Sequence, residues 1–332
     1  MLWCEVLFSL FVLIIQLKEV IGAENHKKFT ISCVSNNSVT EFTSMSFDYD
    51  PLMAIHEYKF NASQLAKVKE IIGNKERIIF FFMGFGDFFR NPSGESFKLA
   101  KEEMLSTNSC SCTVSHAFHW GADFLKLLQY FPGLVSVVPR IVLIGTNFIK
   151  NIVDSDDFNI KLSTVYLSGY SLGGHISGMI GHRLKEVYNG EMVEAIWAFD
   201  PPKVGFSYPS SAGKPRRVQK GDAKFVIVFI TSKLGFLGQH LGDIDVIVNN
   251  GLQQPECSSD EIGCNHRVAL KIREWIIMKG HRLSTNRNDT PWACSINNSD
   301  KFVLDMMYPP VNKSGTYYLH TQKVEENPNY EV

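Results

Sequence analysis

The sequence predicts an α/β fold in which helices cover both faces of a mainly parallel sheet. Three observations carry this. Arg77-IIFFFM-Gly84 is continuously apolar, as expected of a strand buried on both faces. Further short runs rich in β-branched and aromatic residues follow: Thr164-VYL-Ser168, Glu194-AIWAF-Asp200, Lys224-FVIVFI-Thr231 and Asp245-VIV-Asn249. Between them lie stretches with helical spacing, such as Gly121-ADFLKLLQYF and His175-ISGMIGHRLKEVY. Strands alternating with helices give a parallel sheet.

At the start of the chain, MLWCEVLFSLFVLIIQLKEVIGA has an apolar core from Val6 to Ile15 and small residues at Gly22-Ala23. That pattern reads as a secretory signal peptide over 1–23, although Glu5 is an unusual charge for its first part. Residues 24–332 are expected to form a single domain, with no internal repeat or low-complexity linker. A hydrophobic fraction of 45% and a charged fraction of 20% suit a sizeable core. The net charge is −1, with no long basic run, which excludes the electrostatic footprint of a nucleic-acid binder and any strong pull toward an anionic membrane.

Cleavage after Ala23 removes Cys4 and leaves Cys33, Cys110, Cys112, Cys257, Cys264 and Cys294. An even number in a secreted chain points to disulfides. Cys110-Ser-Cys112 with His116 and His119 imitates zinc spacing, but oxidation of the cysteines is the expected outcome and no metal is assigned. The preferred pairing joins Cys33 to one of that doublet and Cys294 to the other. Sequons at Asn36, Asn61, Asn288, Asn297 and Asn312 fit passage through the same compartment.

The chemistry-bearing segment is YLSGYSLGGHISG, residues 166–178. Read as a strand–turn–helix, it is a nucleophile elbow that lifts the Ser171 hydroxyl above the sheet. Gly169 and Gly173 leave room for the turn, while Gly174, Gly178 and Gly181 are expected to let the helix pack close to the sheet. The helix start brings free N–H groups beside the serine. A bare G-x-S-x-G is weak on its own, so the partners matter. A serine needs a histidine base, and the histidine needs an orienting carboxylate. Asp200 ends the run AIWAF before Pro201-Pro202, at a strand terminus where active sites of parallel sheets open. Among His182, His240, His266 and His281, the best placed is His266, two residues after Cys264 and at the head of a helical run. On the residues alone, His240 is its rival.

GYSLGGHISG, AFDPP, LGDIDVIVNNGLQQPEC and CNHRVALKIREW stand in the order and spacing of the pancreatic-lipase family, an α/β-hydrolase family. From about Phe60 onward the chain resembles the secreted insect branch of phospholipases A1, including those of vespid venoms. GTYYLHT is similar to that branch's closing strand. The resemblance implies an α/β-hydrolase fold with Ser171 as nucleophile, Asp200 as orienting acid and His266 as base. It places the oxyanion-hole N–H groups on Phe85 and Leu172. Two positions depart from the pattern: Met83 and Tyr170 stand where the family usually has histidines. Gln219 takes a position that is acidic in calcium-binding relatives, leaving Asp222, so no calcium and no cofactor are expected. The chain ends without the β-sandwich of the larger lipases, so a monomer without colipase is expected.

The resemblance also pairs Cys257 with Cys264, leaving only SSDEIG between them. Six residues, two of them acidic, cannot form the amphipathic lid of a triacylglycerol lipase. The loop Thr231-SKLGFLGQ-His240 is likewise short, and in this family the two go with phospholipase A1 activity. Phe236 and Leu237 on that loop are candidate acyl-chain or bilayer contacts, with core packing the competing reading. The sequence thus points to a secreted hydrolase of the sn-1 ester of glycerophospholipids, acting on a membrane or micelle surface. A triacylglycerol lipase or esterase, and a non-catalytic lipid carrier or yolk-like protein on the same fold, are the alternatives.

Overall fold

The computed structural model describes residues 28–34, 42–48, 59–85, 95–116, 123–206, 215–258, 261–280, 292–296 and 299–321. The leader segment 1–23, three sequons (Asn36, Asn288 and Asn297), His119 and His281 fall outside these residues.

Eleven strands form one sheet: β1 (Lys28–Val34), β2 (Thr43–Asp48), β3 (Ile78–Phe82), β4 (Cys110–Ser115), β5 (Val165–Tyr170), β6 (Ala195–Phe199), β7 (Phe225–Ile230), β8 (Ile244–Val248), β9 (Trp292–Cys294), β10 (Lys301–Val303) and β11 (Gly315–Leu319). Their spatial order is β10-β9-β11-β8-β7-β6-β5-β3-β4-β1-β2. The strands from β4 through β3, β5, β6, β7 and β8 to β11 are parallel, and antiparallel strands close both edges. Six helices are described: α1 (Ala62–Ile72), α2 (Glu95–Thr107), α3 (Asp123–Ser136), α4 (Val138–Val153), α5 (Leu172–Val187) and α6 (Ile262–Gly280).

The continuous apolar strands behave as their composition requires. Every residue of β3, β5, β6 and β7 is buried. Because side chains alternate across a strand, Phe80 and Phe82 enter one core with Leu167, Ala198 and Val228, alongside Ile141 of α4 and Ile176 and Ile180 of α5. Ile79 and Phe81 enter the other with Trp197, Ile227 and Phe229, alongside Val268, Ile272 and Ile276 of α6. Burying each large apolar side chain contributes about 1.5–3 kcal/mol. Two helices thus grip opposite faces: α5, which begins at the elbow, and α6, which carries His266. Among the described residues, no single helix is long and apolar enough to cross a membrane.

A disulfide joins Cys33 to Cys112, which face each other in the β1–β4 ladder. The other expected bond is not made: Cys110 and Cys294 are both free. Six strands lie between β4 and β9 in the sheet order, so these cysteines are far beyond bonding reach. With Cys112 oxidised and the Nε2 of His116 bonded to a main-chain oxygen, the zinc-like spacing does not assemble.

Candidate active site

The elbow forms at the C-terminal end of β5. Ser171 adopts φ 54° and ψ −125° between the strand and α5, a backbone region that costs a non-glycine residue about 1–3 kcal/mol. The surroundings enforce it. The Ser171 N–H donates to Phe199 O at 2.9 Å. A Cβ at residue 169 would come within 2.2 Å of Gly173 O, and one at residue 173 within 2.1 Å of Phe82 O. These two positions must be glycine for the turn to seat against β3. Gly178 serves a different neighbour from the one expected, since a Cβ there would strike Val218 Cα at 2.6 Å, while Gly181 faces both the sheet and that segment, with a Cβ meeting Ile196 Cδ1 of β6 at 2.9 Å and Asp222 O at 2.4 Å. They let the 218–222 segment lie against α5.

Asp200 ends the adjacent strand with φ 47°, and its carboxylate is completely buried. Buried charge needs donors. Oδ1 accepts from Thr231 N at 2.9 Å and Ser232 N at 3.4 Å, while Oδ2 accepts from Ser232 Oγ at 2.5 Å. The His266 Nδ1 donates to the same Oδ2 at 2.7 Å. A proton on Nδ1 leaves the Nε2 lone pair available, which is the tautomer a general base requires.

His266 sits near the start of α6, two residues after Cys264, whose disulfide to Cys257 is formed. A polar network braces this helix start. Asn265 Oδ1 accepts from Gln254 N at 2.6 Å, and the Gln254 amide donates to Thr231 O and Val248 O. The ring of Tyr170 lies 4.7 Å from that of His266, bringing the histidine beside the residue that precedes Ser171. Of the four histidines considered, His182 contacts Glu186 at 3.4 Å and His240 contacts Asp245 at 3.2 Å, whereas His266 meets Asp200.

Leu172 is the first residue of α5, so no earlier turn takes its N–H. Phe85 follows β3, with its ring 5.0 Å from Tyr130 of α3. The Tyr130 hydroxyl donates to Val204 O at 3.0 Å, tying α3 to the segment after β6.

His175, one turn into α5, does not join this group. It is fully buried, with Nε2 donating to Pro202 O at 2.8 Å and Nδ1 accepting from Val218 N at 3.1 Å. Burial pushes its pKa down to about 3, so it stays neutral and structural. For Phe236 the core-packing reading holds. It is buried, edge-on to His175 and beneath the Arg217 guanidinium, which removes it from the surface. Leu237 is 38% exposed. Asp222 accepts from Gln219 N and lies 2.6 Å from Arg216 Nη1; burial nevertheless pushes its carboxyl up to about 6. Ser232 carried no recognisable signal in the sequence, because serines in loops are common; Gln254 and Asn265 stand within the motifs LGDIDVIVNNGLQQPEC and CNHRVALKIREW, but their bond to each other appears only in three dimensions.

Residues 136–300 match the lipase family model. The chain belongs to the lipase family. The matched segment holds Ser171, Asp200 and His266, while Phe85 precedes it. The chain is 32% identical over 148 residues to a phospholipase A1 of Vespa crabro, covering 43% of this chain and 46% of that protein. With a phospholipase A1 of Dinoponera quadriceps the identity is 30% over 162 residues, covering 49% and 39%. With a lipoprotein lipase of Bos taurus it is 34% over 178 residues, covering 52% and 33%. These alignments span half or less of each relative. Among solved structures, the chain is similar to MGS-M1, an α/β hydrolase from a deep-sea metagenome library, at 15% identity and a TM-score of 0.35, covering 64% and 73%. An esterase of Rhizomucor miehei gives 14%, a TM-score of 0.34, and 62% and 78%. At such low scores these likenesses carry no argument. The α/β-hydrolase fold of this lipase-family chain is evident from its own sheet order and elbow.

Proposed function

We propose that this chain is a phospholipase A1, a serine hydrolase that cleaves the sn-1 acyl ester of glycerophospholipids. The observation that carries the reading is the Asp200–His266 bond at 2.7 Å, beside a strained serine elbow on the neighbouring strand. His266 Nε2 takes the proton of Ser171 as its oxygen attacks the ester carbonyl. The developing oxyanion is met by the N–H groups of Phe85 and Leu172, each worth about 3 kcal/mol in such sites. His266 then protonates the leaving lysophospholipid oxygen, and water releases the fatty acid by the same route in reverse.

The substrate reading is supported by the short loop between Cys257 and Cys264, which has no room for an apolar lid. It is supported too by exposed apolar side chains near the elbow. Phe131 and Val135 are 54% and 61% exposed, one turn apart on α3. Val204, Leu237 and Leu252 follow the C-terminal ends of β6, β7 and β8. Such a grouping suits a phospholipid membrane or micelle surface. Two disulfides fit an oxidising compartment, in keeping with secretion, and Asn61 and Asn312 are exposed where glycans would attach.

The test is hydrolysis of phosphatidylcholine labelled separately in each acyl chain, beside triolein, by wild type and Ser171→Ala. Release of the sn-1 acid alone, lost in the variant, is the expected result. Preference for triolein would replace the phospholipase reading with a triacylglycerol lipase. Lipid binding without turnover of either would replace it with a carrier.

A further inference from the structure

The oxyanion loop is held by a histidine outside the triad. His116 follows β4 and is fully buried, and its Nε2 lies 2.6 Å from the carbonyl oxygen of Met83. A carbonyl only accepts, so Nε2 carries the proton. The opposite nitrogen, Nδ1, is buried and has no hydrogen-bond partner among the described residues. An imidazole so placed donates one bond, and it spends that bond on Met83.

Met83 is the last residue before Gly84-Phe85, and its own N–H continues the β3–β4 ladder by donating to Val114 O at 3.0 Å. Its carbonyl also faces the elbow: a Cβ at residue 173 would come within 2.5 Å of it. The Met83 peptide is therefore clamped on three sides, by the ladder, by Gly173 and by His116. Rotating that carbonyl turns the peptides that follow, and these carry the N–H assigned to the oxyanion. The Met83 side chain packs against the same core cluster as Tyr170, whose ring lies against His266. The two residues that depart from the family pattern thus share one cluster.

Resting on the hydrolase reading above, we propose that His116 is a positioning residue. Its Nε2–H fixes the Met83 carbonyl and so aims the Phe85 N–H at the same point as that of Leu172. Because the oxyanion forms only as the reaction proceeds, misaiming one donor lowers kcat and leaves KM nearly unchanged.

The experiment uses a water-soluble short-chain ester, so that lipid adsorption does not enter. His116→Leu removes the donor with little change of volume, and His116→Gln offers an amide N–H to the same carbonyl. Removing an oxyanion donor outright costs about 10²–10³ in kcat, so misaiming one is expected to cost about 10- to 100-fold. We expect that loss in the Leu variant with KM within about twofold, and recovery to within about fivefold of wild type in the Gln variant. A Leu variant within about threefold of wild type, a loss carried by KM, or a Gln variant no better than Leu would each overturn the proposal. Two readouts survive failure of the hydrolase reading itself. Nitrogen NMR of the wild-type histidines is expected to find His116 protonated on Nε2 at neutral pH; protonation on Nδ1 overturns the proposal without any variant. Amide exchange at Gly84 and Phe85 is expected to quicken about tenfold in the Leu variant and to stay near wild type in the Gln variant. Equal exchange in all three overturns it.

Discussion

Replacing Ser232 by alanine tests whether the carboxylate of Asp200 is held as tightly as its contacts imply. Four donors converge on it, and the Ser232 hydroxyl is the closest, at 2.5 Å on the same oxygen that receives His266. That hydroxyl also accepts from Leu234 N at 3.1 Å, so its removal strips one donor from Asp200 and one acceptor from the loop after β7. A hydrogen bond to a charged group is worth about 1.5–3 kcal/mol net. Expressed wholly in the transition state, where His266 becomes cationic and leans on Asp200, this is about 10- to 150-fold in kcat/KM. The two main-chain donors to Oδ1 remain, so the carboxylate stays in place and the loss falls short of removing Asp200 itself. The assay is steady-state hydrolysis of a soluble ester by wild type, Ser232→Ala and Ser232→Thr, with thermal melting of all three. Threonine restores the hydroxyl and is expected to recover most of the rate. A Ser232→Ala enzyme within about threefold of wild type at unchanged stability would refute the reasoning, because the hydroxyl would then be a bystander to Asp200.

Three further outcomes follow from the same geometry. Gly173→Ala places a methyl 2.1 Å from Phe82 O, and since main chain cannot yield as a side chain does, the variant is expected to lose both soluble expression and activity; wild-type melting and turnover would contradict the elbow's packing. Arg273 of α6 donates to buried Glu103 at 3.0 Å and lies 3.8 Å above the Phe81 ring, so Arg273→Met, which among the described residues leaves the buried Glu103 carboxylate beside only the Ser111 hydroxyl, is expected to lower stability by about 3–5 kcal/mol. Adding Glu103→Gln is expected to recover part of that loss, and additivity of the two in urea unfolding would show that the pair does not couple. Stability is expected to fall as pH drops from about 6.5 toward 4, because burial holds His116 at about 4 and His175 at about 3 while the unfolded chain takes up protons at the ordinary histidine value. Asp222, raised to about 6, works in the opposite sense and gains stability below that pH. Urea unfolding at pH 6.5 and 4.5 should show His116→Gln losing about 2–3 kcal/mol less than wild type, and an identical loss would remove His116 from the account.

The strands and the elbow were legible in the sequence because each rests on one local constraint. A strand buried on both faces has to be apolar throughout, as β3, β6 and β7 are. A turn that seats against the end of β3 has to carry glycine at 169 and 173. Helix α4 was harder to see: Ile141, Ile144, Phe148 and Ile152 recur at helical spacing, but Pro139 and Gly145 stand among them and read as breakers. The choice between His240 and His266 needed either a family likeness or three dimensions, since both follow Asp200 and both lie near loop residues. What separates them is which end of the sheet each reaches. His240 pairs with Asp245, the second residue of β8, at the end opposite to Asp200, while α6 returns His266 to the C-terminal end of β6. Cys294 failed for a related reason. Counting cysteines supplies candidates for pairing but not their strand order, and here that order puts six strands between Cys294 and Cys110. His116 lies at the limit of what spacing can reveal. In the sequence it reads as part of a metal-like cluster with Cys112, because only three residues separate them. Along β4 the cysteine turns to β1 and the histidine to the end of β3, so one strand serves two neighbours whose positions only the sheet defines.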